Sequence, residues 1–249
     1  MKLIVNADDF GLSSAVNEAI MRAFEMGIID RTSAIANAPY FADACQLAIE
    51  KGFENRVGVH FNILEGRAIS SKIADIHPFH SKGGMFTYQR NAKLFLSRRE
   101  MEAISAECDD QIRRFHDHGL YPTRFDSHEH VHTEWFIFRA IEPVLRKYGF
   151  LSVRISQNIG EFSFGNRAYK GIFNYYLKRR KWNCEAFSGE YRAFVRLKAF
   201  SNMTDGAAEV VVHPTLSSRG VVIDAVSGEE LAPQIKNLRD LGQSYGQTC

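Results

Sequence analysis

The sequence offers no cysteine pair. Its four cysteines, Cys45, Cys108, Cys184 and Cys249, are far apart, and none forms a CxxC motif. This excludes a zinc ribbon or a dithiol redox motif, and it points to reduced thiols in a cytoplasmic protein. No run of about 18 apolar residues occurs, so no membrane-spanning helix is expected. The apolar start meets Asp8 and Asp9 too soon for a signal peptide. A strong charge of either sign is also missing. The formal net charge is +2, which gives no general attraction to nucleic acid or to a membrane surface. There is no internal repeat and no linker rich in Pro, Gly or Ser. One domain over residues 1–249 is the simplest organisation.

What is present suits one large core: 249 residues, 45% of them hydrophobic. Short β-rich runs alternate with longer helical patterns. Strands are expected at 3–6, 32–37, 57–63, 123–127, 151–155 and 209–212. Helices are expected from Ser13 or Ser14 to Gly27, at 41–51, 100–118, 134–147 and 228–241. Such alternation predicts an α/β fold with parallel strands and outer helices, one strand short of a full eightfold barrel. Residues 66–99 are irregular, with turns at Gly83-Gly84 and His77-Pro78, and a loop that long is usually functional. Residues 160–205 are aromatic and basic, with Tyr169, Phe173, Tyr175, Tyr176 and Trp182 beside Lys178, Arg179, Arg180 and Lys181. An amphipathic helix with a solvated basic end explains them better than a nucleic-acid patch does.

The chemistry collects at the C-terminal ends of the expected strands, where parallel α/β barrels build their sites. Asn6, Asp8 and Asp9 follow the first strand. His60 lies near the end of the third, and Asp126, His128, His130 and His132 follow the fourth. Arg154 and His213 end the fifth and last. Asp8 and Asp9 can share a site only where the backbone bends, and Gly11 supplies that freedom. Taken alone, the pair also suits a helix N-terminus. His128, His130 and His132, spaced by two, would share one strand face, and with Asp126 they make a ligand set for a divalent ion. His60 alone reads as a core histidine, but its place at a strand end makes it a candidate ligand. His213 is a candidate general acid. His77 and His80 belong to the long loop and are candidates to reach substrate. His116 and His118 read as exposed.

Taken together, Asn6-Ala-Asp-Asp-Phe-Gly-Leu-Ser13, Gly58-Val-His-Phe61, Asp126-Ser-His-Glu-His-Val-His132, Arg154 and Val212-His-Pro214 resemble the YdjC-like carbohydrate deacetylases. The matching pieces span most of the chain in the expected order. The resemblance implies a partly open (β/α) barrel related to the polysaccharide deacetylases. It implies Asp9, His60 and His128 as ligands of one divalent ion, Asp8 as general base and His213 as general acid. Magnesium is the metal the resemblance suggests; two imidazoles and a carboxylate suit zinc as well. Arg154 would orient Asp8 or His213. Asn6, Asp126, His130 and His132 would support ligands or substrate. The substrate would be an N-acetylated carbohydrate, gripped by the 66–99 loop and the 160–182 aromatics, and a homodimer is suggested. Two positions depart from the family pattern. Glu129 stands where a histidine is frequent and should point away from the metal. Thr215 stands where a glycine is frequent, in the loop after the last strand. The alternatives are a metal hydrolase of another amide or a phosphoester, and a non-catalytic sugar-binding module.

Overall fold

A computed structural model describes residues 2–80, 83–197 and 206–246. Cys249 and residues 198–205 of the aromatic and basic segment lie outside them. The first strand, β1 (Lys2–Phe10), runs through the carboxylate pair instead of stopping before it. It leads through α1 (Ser14–Glu25), β2 (Arg31–Ala34) and α2 (Phe41–Glu50) to β3 (Val57–Phe61). The long irregular stretch ends at α3 (Arg98–Asp117), followed by β4 (Arg124–Ser127), α4 (Trp135–Lys147) and β5 (Ser152–Val153). After these come α5 (Phe164–Arg179), β6 (Phe187–Glu190), α6 (Tyr191–Arg196) and β7 (Ala207–Val212). A small hairpin of β8 (Pro214–Leu216) and β9 (Val222–Asp224) precedes α7 (Leu231–Gly246).

The large sheet has seven parallel strands in the order β5-β4-β3-β2-β1-β7-β6. It is the sheet of a partly open (β/α) barrel, with β5 and β6 at its two ends. β7 is buried on both faces, which explains its apolar run Val210–Val212. All five residues of β3 are buried, as are five of six in β7. None of the described helices is long and apolar enough to cross a membrane.

The chain folds as two compact units. One comprises the chain up to Asp8, Ser14–Thr32 and the residues from Val153 on; the other comprises Asp9–Ser13 and Ser33–Ser152. In the second unit Phe10, Phe41, Phe61, Phe115, Phe125 and Phe138 are fully buried, each stabilising the fold by about 1.5–3 kcal/mol. Its α3 starts at a capping box, in which Ser97 and Glu100 satisfy each other's backbone N–H groups. In the first unit, α1 packs Val16, Ala19, Ile20 and Ala23 inward, as its helical spacing predicts.

Several sequence expectations need correction. The second strand ends at Ala34 and the fifth spans only two residues. The last helix starts three residues later than expected, at Leu231. The histidines after β4 do not share a strand face. The strand ends at Ser127, and Glu129 and His130 take left-handed backbone conformations, with φ of 45° and 57°. Strand alternation therefore cannot say where Glu129 points; it is exposed at this bend. Thr215 lies not in a loop but in β8, paired with Ile223. The long basic helix, α5, buries only Phe173 and Leu177.

Candidate active site

Asp9 sits where β1 bends. Its φ is +68°, a left-handed value that Asp tolerates better than most residues. Leu12 N–H donates to its carbonyl at 3.0 Å, closing a turn. Gly11 follows at φ +95°, where a Cβ would sit 3.1 Å from the Phe41 backbone. The bend anticipated at Gly11 thus begins two residues earlier, at the ligand candidate itself.

Two imidazoles face the Asp9 carboxylate. His128 Nδ1 lies 2.9 Å from its Oδ1, and His60 Nε2 lies 3.3 Å from the same oxygen. The histidine rings stand nearly perpendicular, 5.7 Å apart. His60 is buried on β3, while Asp9 and His128 keep a small exposure to solvent. Burial opposes the charge on Asp9, but hydrogen bonds and positive charge from His128 and His60 outweigh it and hold the carboxyl well below its ordinary range.

On the far side of His60, Nδ1 lies 2.6 Å from Asp126 Oδ1 and 3.2 Å from Ser33 Oγ. The ionised carboxylate can only accept, so Nδ1 carries the proton. Nε2 is then the nitrogen left to face Asp9 at 3.3 Å, where it can offer a lone pair to an ion held between the two. The donor set therefore fits a divalent ion. Asp9, His60 and His128 place their ligand atoms within 4.8 Å of one another, and donors about 2.0–2.2 Å from one ion are separated by comparable distances. Asp126, with Ser33 beside it, is placed as outer carboxylates are in metal sites, where they fix a ligand's tautomer.

His130 and His132 do not join this group. His132 is fully buried. Its Nδ1 lies 2.5 Å from Ser127 Oγ, and its backbone N–H donates to the same oxygen at 2.9 Å. That contact shapes the turn that delivers His128. The His130 carbonyl accepts from Thr133 Oγ1 at 2.9 Å. His80 is buried rather than presented to substrate, and both ring nitrogens lack a hydrogen bond among the described residues. His77 is exposed. His116 and His118 are half-buried, packed on Tyr148 and Phe41.

The other unit carries the remaining candidates. Arg154 grips Asp8 with two parallel bonds of 2.7 Å, Nη1 to Oδ2 and Nη2 to Oδ1. Asn6 Nδ2 donates to Asp8 Oδ1 at 2.7 Å. Behind Asp8 lies a chain of charges that the sequence reading missed. Arg154 Nε donates to Glu209 at 3.0 Å, and Arg31 bridges Glu209 and Glu185 at 2.6 and 2.7 Å. Burial raises the Glu209 carboxyl, but Arg154 and Arg31 bring it down to about 2. A lone carboxylate inside an apolar strand run was the available signal, because a buried charge demands a partner.

His213 follows β7. Its backbone N–H donates to Asp224 Oδ2 at 2.7 Å, and its carbonyl accepts from Ala225 N–H at 2.7 Å, so the β8–β9 hairpin fixes its main chain. Its Nδ1 is buried with no hydrogen-bond partner among the described residues; Glu190 Oε2 is 3.9 Å away. Burial raises the Glu190 carboxyl, and nearby His213 partly opposes this. Gln157 Nε2 donates to Glu190 Oε1 at 3.1 Å. Nothing in the pattern of Phe-Ser-Gly-Glu at 187–190 marks Glu190 as special.

The family model described as YdjC-like protein matches residues 2–243 of this chain. A carbohydrate deacetylase of Halalkalibacterium halodurans is 34% identical over 224 residues, covering 86% of this chain and 85% of that protein. A carbohydrate deacetylase of Geobacillus stearothermophilus is 36% identical over 145 residues, 58% of this chain and 56% of that protein. A solved structure from Enterococcus faecalis V583, described as a cellobiose-phosphate cleavage protein, superposes with a TM-score of 0.74. It covers 98% of this chain and 95% of its own at 20% identity, so it speaks to the fold alone.

Proposed function

The chain belongs to the YdjC-like protein family and is a carbohydrate deacetylase, and from this premise we propose that it is a metal-dependent hydrolase releasing acetate from an N-acetylated sugar. The observation that carries the metal is the convergence of Asp9, His60 and His128, whose ligand atoms lie within 4.8 Å of one another, with Asp126 on the opposite ring nitrogen of His60. Asp9, His60 and His128 would hold the ion. When bound, a divalent ion polarises an acyl oxygen and acidifies water. Two imidazoles and one carboxylate favour zinc or a similar borderline ion over magnesium, which prefers oxygen ligands.

Asp8 serves as the general base. The Arg154 clamp and Asn6 hold its carboxylate in place to take a proton from water. His213 serves as the general acid for the departing sugar nitrogen. Its main chain is anchored, and its ring is not tied down by a hydrogen bond at Nδ1, which suits a group that must hand over a proton. An N-acetylated sugar is the only partner this scheme requires.

Acetate release from a panel of N-acetylated oligosaccharides tests the scheme, run after chelation and after adding back zinc, cobalt or magnesium. The expected result is turnover that chelation abolishes and zinc or cobalt restores best. Full turnover in chelator would exclude the metal.

A further inference from the structure

The two histidines that face Asp9 do so through different nitrogens. His60 turns Nε2 to Asp9 and Nδ1 to Asp126, whereas His128 turns Nδ1 to Asp9 and Nε2 to Glu65, whose Oε1 is 3.3 Å away. Each ring thus has a carboxylate on the side away from Asp9. We propose that Glu65 is the positioning residue for His128, accepting its Nε2 proton so that Nδ1 is the nitrogen offered to the metal. This rests on the metal reading above.

The local structure shows why Glu65 is held there. After β3 the chain turns around the side chain of Asn62. Its Oδ1 accepts from Leu64 and Glu65 N–H at 2.9 and 3.3 Å, and its Nδ2 donates to the Glu65 carbonyl at 2.9 Å. Asn37 Nδ2 donates to the same carbonyl at 3.0 Å and to that of Arg67 at 3.2 Å. Gly66 adopts φ +75°, and a Cβ there would lie 3.3 Å from Asn37 Nδ2. From α3, Gln111 clamps both backbone groups of Asn62, accepting from its N–H at 3.2 Å and donating to its carbonyl at 2.6 Å. Buried Glu107 accepts from Gln111 and from Ser70 N–H. The backbone at Glu65 is therefore fixed from several directions, while its side chain remains about half exposed.

The test uses zinc alone, titrated calorimetrically into metal-free wild type, Glu65→Ala, Glu65→Gln and Asp9→Ala, with imidazole nitrogen NMR of the zinc-loaded wild type. Glu65→Ala should weaken zinc binding about tenfold, and Glu65→Gln should stay within about threefold of wild type because its amide oxygen still accepts the proton. The spectra should show His60 coordinating through Nε2 and His128 through Nδ1. Wild-type affinity in Glu65→Ala, or coordination by His128 through Nε2, would overturn the assignment while leaving the metal site standing. A wild type that binds no zinc, or an Asp9→Ala protein that binds it equally well, would overturn the metal reading and this inference with it.

Discussion

Glu209 sits in the middle of β7 between two guanidinium groups, and it supplies a pH signature. Its carboxyl is held at about 2 in the fold against an ordinary 4.5. The folded value is the lower one, so its stabilisation is complete above about pH 4.5 and is lost as the pH falls toward 2. Glu209→Gln keeps the shape but leaves Arg31 and Arg154 each one carboxylate short. It should cost about 3 kcal/mol at neutral pH and flatten the dependence of thermal stability on pH between about 4.5 and 2. Wild-type stability in this variant would show that the charge chain is not needed. At the same scale, the sequence singles out Asp9, His60, His128, Asp8, Arg154 and His213 as candidates, because polar and charged types at the ends of buried strands call for a partner or a purpose. It does not mark out Glu65, Glu190 or Glu209. Glutamates are common, and only the folded chain shows which of them lie against a histidine or an arginine.

Among the elements, β1 and β7 were legible because a strand buried on both faces reads as an apolar run, and β3 because Val57, Val59 and Phe61 alternate along it. β6 was not, since Phe-Ser-Gly-Glu carries no such pattern. It becomes a strand by pairing with β7, from Phe187 opposite Ala208 to Glu190 opposite Val211. Gly189 makes the close approach on its other side feasible. A Cβ there would lie 2.6 Å from the Ile159 carbonyl oxygen and 2.9 Å from Ile159 Cβ. Gly189→Ala should therefore destabilise the protein by about 1–3 kcal/mol, lowering Tm by roughly 2–4 °C per kcal/mol. Gly171→Ala, in α5 with no atom near the added carbon, is the control and should be neutral or slightly stabilising. Equal melting temperatures for the two variants would contradict this packing. The histidine segment failed for a different reason. Alternation assumes extended backbone, and two consecutive left-handed residues at Glu129 and His130 end that assumption just past His128.

For the whole molecule, the α/β class and the open seven-stranded sheet followed from the alternation of apolar runs and amphipathic helices. The β8–β9 hairpin did not, because its strands are three residues long and gain their identity from each other. The candidate ligands Asp9, His60 and His128 lie in one compact unit and the Asp8–Arg154–Glu209 chain and His213 in the other, with Asp8 and Asp9 consecutive in the chain. The central claim is that Asp9, His60 and His128 hold the ion on which deacetylation depends. Its most direct test is to measure zinc content and acetate release together in wild type and in Asp9→Ala. The account predicts about one ion per chain and turnover in wild type, with both lost in the variant, the rate falling by at least about a hundredfold. An Asp9→Ala protein that retained full metal and full deacetylase activity would contradict it.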